Sequence, residues 1–113
     1  LGGREQAAIC GAVVAAKHYS VPVILDGFIC TAAVLPIFFE RKDILDHCLI
    51  GHSSKEPGHQ LLLTMLNKKP ILRLDMALGE GSGAALATSI VKAAFKCHVE
   101  MATFEDAGVS GKQ

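Results

Sequence analysis

The stretch "KPILRLDMALGEGSGAALA", residues 69–87, decides how the chain is read. Residues 69–78 form an extended segment, and "GEGSG" is a tight turn. The alanine-rich run of 84–104 has the length and spacing of a closing helix. Two similar units lie upstream. "VPVILD", 21–26, is a β-branched run that ends at Asp26 and Gly27, as a buried parallel strand would. A helix over 28–43 follows, kinked or ended near Pro36. "DHCLIGH" holds a second strand around 48–50. "SSKEPGHQLLLTMLNKK" is a loop entering a helix with Pro57 at its first position, where the missing N–H costs nothing. Residues 4–19 open the chain as a helix, and the polar tail, 105–113, is expected to be loose. Helices alternating with short apolar strands predict an α/β layered fold with a parallel sheet. Ligands of such sheets bind at the carboxyl ends of the strands. Asp26-Gly27, "GHSSKEPGH" and "GEGSG" are therefore expected to face one cleft.

Composition narrows the function classes. At 113 residues the chain is one domain at most, and a first residue of Leu1 suggests a fragment or a processed chain. Eleven basic residues balance eleven acidic ones without a basic stripe, which argues against a nucleic-acid surface. The uncharged run 27–39 is too short for a membrane span of about 20 residues. Half the residues are hydrophobic, enough to fill a core and to cover both sheet faces or a subunit interface. The four cysteines, Cys10, Cys30, Cys48 and Cys97, lie far apart with no C-x-x-C pair. That spacing predicts reduced thiols in a reducing, cytoplasmic compartment, with no zinc site.

"GEGSGA" fits the dinucleotide pattern G-x-G-x-x-A through Gly79, Gly81 and Ala84, and Glu100 lies twenty residues beyond Glu80. That unit needs a second strand carrying an acid, yet Glu100 falls within the helical stretch. The glycines serve a tight strand-to-helix connection. Glu80 has two readings: a favourable charge near a helix N-terminus, or a general base whose pKa an apolar cleft raises. "GHSSKEPGH" combines Ser53, Ser54 and Lys55 before a helix start, which makes either a phosphate site or a capping box of Ser53 with Glu56. His47, His52 and His59 lack metal-pair spacing and are read as structural or polar contacts. Gly2 and Gly3, before the first helix, admit close approach of a phosphate or make a plain connection.

Taken together, "LGG", "PVILDGFICTAA", "HSSKEPGH", "LGEGSGAALA" and "EMATFEDAGVS" resemble the C-terminal portion of the nicotinate-nucleotide–dimethylbenzimidazole phosphoribosyltransferase family. The resemblance covers nearly the whole chain. It implies a Rossmann-like three-layer fold with a parallel sheet, present here as an incomplete C-terminal fragment over residues 1–113, and a homodimer without a cofactor. It also implies transfer of phosphoribose from nicotinate mononucleotide to 5,6-dimethylbenzimidazole, giving α-ribazole 5′-phosphate and nicotinate. A non-catalytic nucleotide-binding remnant of the same fold is the alternative.

The family's general base falls on Glu80. Leu78 matches a position lining the aromatic-base pocket, with Gly79 and Gly81 in the same motif. Ser54 matches a serine on the nucleotide phosphate, and Gly2 and Gly3 match backbone near that ligand. Asp26 stands where a sugar hydroxyl would be held. The chain departs from the family pattern at Cys30, Gly51 and Ala77, where serine, serine and arginine are common, and Pro36 interrupts a helix usually built from alanines and leucines. The family's glycine-rich "GNTT" loop and second functional glutamate are absent from these residues, so the chain alone is expected to be poorly soluble or inactive.

Overall fold

The computed structural model describes residues 3–73, 81–101, 106 and 108. Helix α1 (Arg4–His18) leads into strand β1 (Val23–Leu25), then helices α2 (Phe28–Ala33) and α3 (Leu35–Glu40). Strand β2 (Cys48–His52), helix α4 (Pro57–Leu66), strand β3 (Pro70–Leu72) and helix α5 (Ser82–Glu100) follow. The strands form a parallel sheet in the order β1-β2-β3, with Val23 opposite Cys48, Leu25 opposite Ile50, and His52 opposite Leu72. The expected α/β fold with a parallel sheet is therefore present.

Local chemistry explains the boundaries. Glu5 lies in the first turn of α1, and Lys17 and His18 in its last, each suited to the helix dipole. The helix stops in a Schellman turn: Val21 N–H donates to Ala16 O, with Ser20 at a φ of 57°. Asn67, at a φ of 53°, ends α4 the same way as Lys68 N–H donates to Leu63 O. Pro57 opens α4, as expected.

The helix expected over 28–43, kinked or ended near Pro36, is two helices broken at Val34, followed by a 3-10 turn at Lys42–Leu45. Pro36 sits in the first turn of α3 and cannot donate the bond that would continue α2. Strand β2 runs two residues further than expected, to His52, because β3 pairs with that end. Helix α5 begins at Ser82 rather than 84 and ends at Glu100. The remainder of the expected helix, 102–104, and the strand continuation over 74–78 lie outside the described residues.

The core lies on one face of the sheet, where Leu25, Cys48 and Ile50 meet Val13, Val34, Ile44, Leu45, Leu63 and Leu66. Full burial of a side chain such as Leu63 contributes roughly 1.5–3 kcal/mol. Along β2, Leu49 and Gly51 alternate with Cys48 and Ile50 and so point to the opposite face, where α5 packs against the sheet. From Lys92 onward α5 is exposed to its end. Among the described residues, no helix is long and apolar enough to cross a membrane.

Candidate active site at the carboxyl ends of the strands

Because the strands are parallel, Asp26-Gly27 and the loop after His52 emerge at one end of the sheet, where the start of α5 meets Asp26. The first N–H groups of a helix have no partner within it. In α5 one of them, on Ala84, donates to Asp26 Oδ1 at 2.8 Å. Gly81 precedes the helix in the left-handed conformation, with a φ of 76°, and has no side chain to cap it. Asp26 supplies that cap from across the fold. One of its oxygens is thereby committed to the helix.

His52, 5% exposed, fills the space between these two elements. A Cβ on Gly27 would stand 3.0 Å from its Cε1, and a Cβ on Gly83 would overlap the ring. His52 Nδ1 lies 3.8 Å from Asp26 Oδ1, beyond hydrogen-bond reach. Behind it, a Cβ on Gly51 would come within 3.1 Å of the Ala84 backbone. Glycine at 51, where the family commonly has serine, fits this close approach of helix to strand.

In the second loop, Ser53 N–H donates to Leu72 O and ties the loop to β3. The capping box of Ser53 with Glu56 does not form. Ser54 Oγ instead accepts the Glu56 N–H at 3.2 Å, just before Pro57. Among the described residues no acceptor takes the Ser54 hydroxyl proton, so it can be offered to an anion. The Ser54 N–H turns inward to His59 Nδ1 at 2.8 Å. His59 is fully buried, and burial, with a smaller effect of nearby His52, holds its pKa below the ordinary histidine value.

His47, His52 and His59 are thus internal contacts, His47 Nε2 meeting Val13 O at 2.9 Å. Among the described residues, no three His, Cys, Asp or Glu side chains are grouped to hold a metal ion. All four cysteines are free, Cys48 buried and Cys97 exposed.

Of the residues singled out from the sequence, Asp26 and the Gly81–Ala84 turn meet directly, and Ser54 joins them through buried side chains. Gly3 caps α1, which packs against α2, and none of the described contacts brings it to the three loops. Gly2, Leu78, Gly79 and Glu80 lie outside the described residues. Glu80 directly precedes Gly81 in the chain. His52 and His59, read from the sequence as structural or polar contacts, and Gly83 of the glycine turn complete the site together with Thr31, which nothing local in the sequence marks.

Comparison with known proteins gives the family. A phosphoribosyltransferase family model matches residues 1–109. The chain is 55% identical over 113 residues to nicotinate-nucleotide–dimethylbenzimidazole phosphoribosyltransferase of Brucella anthropi, and 54% over 110 residues to that of Rhodobacter capsulatus. The alignments take in 100% and 97% of the chain but 33% of each relative, so the chain spans about a third of their length. The crystal structure of the Thermus thermophilus protein of the same name superposes with a TM-score of 0.88 at 43% identity, over 98% of this chain and 33% of that one. The chain belongs to the nicotinate-nucleotide–dimethylbenzimidazole phosphoribosyltransferase family.

Proposed function

We propose that this chain is the C-terminal portion of an enzyme that transfers phosphoribose from nicotinate mononucleotide to 5,6-dimethylbenzimidazole. The observation that carries the reading is the convergence of Asp26, Ser54 and the N-terminus of α5 at the carboxyl end of the sheet. The Ser54 hydroxyl holds the nucleotide phosphate, and the free oxygen of Asp26 holds a ribose hydroxyl. Leu78, with Gly79 and Gly81, borders the aromatic base.

In the reaction, one nitrogen of the benzimidazole attacks C1′ and the bond from C1′ to the nicotinate nitrogen breaks. The other ring nitrogen gives its proton to Glu80 as positive charge develops on the ring. Nicotinate leaves with the bonding pair, and α-ribazole 5′-phosphate remains. The fold of the whole protein is Rossmann-like, and it works as a cytoplasmic homodimer. Phe95 and Val99, exposed one turn apart on α5, offer apolar area for a second copy.

The test is Glu80→Gln in the full-length protein. Turnover falls by about 10²–10⁴ while the KM for nicotinate mononucleotide stays near its original value. An equal loss of binding and turnover removes Glu80 as the base.

A further inference from the structure

The first turn of α2 grips the first turn of α4. Phe28 meets His59 edge-on, with ring centroids 6.3 Å apart, and a Cβ on Gly58 would stand 3.0 Å from the Phe28 ring. Within this contact runs a chain of polar groups. Ser54 N–H donates to His59 Nδ1 at 2.8 Å. His59 Nε2 faces Thr31 Oγ1 at 3.5 Å, and the Thr31 hydroxyl donates to Gly27 O at 2.6 Å. The directions follow from the ends. A backbone N–H can only donate, so Nδ1 is bare. The Thr31 proton is spent on Gly27, so its oxygen offers lone pairs to an Nε2 that carries the hydrogen. A single neutral tautomer satisfies both sides. Both ends of the chain lie in loops of the candidate site, Ser54 in one and Gly27, beside Asp26, in the other.

We infer that His59 is a positioning residue: as a neutral imidazole protonated on Nε2, it locks the phosphate-holding Ser54 loop to the Asp26-Gly27 loop that holds the sugar. The inference rests on the proposed phosphoribosyl transfer for the identity of the ligand, but the link between the loops can be read without it. His59 touches no reacting atom. It fixes the Ser54 backbone, and with it the position of the hydroxyl that accepts the Glu56 N–H.

Three variants of the full-length protein separate the parts. His59→Asn keeps an acceptor near the Nδ1 position, His59→Leu keeps volume and loses both polar ends, and Thr31→Val cuts only the far end. With dimethylbenzimidazole saturating, His59→Leu raises the KM for nicotinate mononucleotide about tenfold with little change in kcat, and His59→Asn restores most of the loss. Thr31→Val shifts KM less, in the same direction. A parallel fall in kcat with unchanged KM, or an asparagine variant no better than leucine, overturns the inference.

Hydrogen exchange at the Ser54 amide gives the second readout. The inference requires slow exchange in the unsubstituted protein and in His59→Asn, and fast exchange in His59→Leu. Equal rates in all three overturn it. If the unsubstituted protein does not turn over nicotinate mononucleotide, the proposed reaction fails, and amide exchange alone decides the role of His59. Should His59→Leu not fold, the same comparison is made on Thr31→Val, whose Ser54 amide must exchange faster than in the unsubstituted protein.

Discussion

Asp26 and Ala84 are 58 residues apart in the chain, yet the carboxylate of one accepts the backbone N–H of the other at 2.8 Å. The bond ties the end of β1 to the start of α5 and fixes the segment that follows Glu80. A single side chain thus serves as a helix cap and as a wall of the candidate cleft.

Removing that cap should cost stability. Asp26→Ala is expected to destabilise the protein by about 0.5–2 kcal/mol, the usual range for a lost N-terminal cap. Asp26→Asn retains an oxygen acceptor and should lose much less. Denaturant titration of both variants checks the ordering, and equal losses would show that the Ala84 bond contributes nothing.

Gly83 and His52 make a second, steric pair. A methyl group at 83 overlaps the His52 ring, so Gly83→Ala should cost about 1–3 kcal/mol, as overpacked cores do. Trimming the ring in the same protein, as His52→Ala with Gly83→Ala, should recover part of that loss. The double-mutant cycle therefore gives a coupling energy well away from zero; additive losses would mean the contact is not felt.

The pH dependence of stability follows from His59. Its folded pKa is held below the unfolded value near 6.5, so the unfolded state binds more protons between the two. The contribution is complete above pH 6.5 and declines as pH falls from there through the folded pKa. Asp43, lowered beside Arg41, acts in a separate window below its ordinary value of 3.8. His59→Asn should flatten the upper slope and leave the lower one, as measured by denaturant midpoints across pH.

Thiol chemistry should rank the cysteines. Cys97 is exposed on α5, whereas Cys48 is buried and its thiol is pushed up by burial, so it forms thiolate reluctantly. Iodoacetamide labelling followed by peptide mass spectrometry should find Cys97 modified first and Cys48 modified only after denaturation.

The sequence carries the fold where the cause is local. The β-branched run before Asp26 and the proline opening α4 mark their elements within a residue or two. The break at Val34 falls two residues before the proline that causes it, because Pro36 acts through the bond it cannot donate to the turn before it. Asp26 and Ser54 could be singled out because charge and hydroxyls beside glycine or proline stand out in an apolar chain. The partners of Thr31, His52 and His59 could not: Thr31 meets His59, and His52 meets Gly27 and Gly83, across distant segments, and only the assembled sheet sets those distances.

The strand order β1-β2-β3 repeats the order of the chain. Each strand can pair with its predecessor as soon as it leaves the ribosome, without waiting for a later segment. Helix α5 comes after all three, and its N-terminus supplies the Ala84 amide that Asp26 awaits. During synthesis the sheet and its core can therefore form before the cleft does. The Asp26–Ala84 bond forms only when this helix docks, so a nascent chain stalled before Gly81 would hold the three strands with an unfinished candidate site.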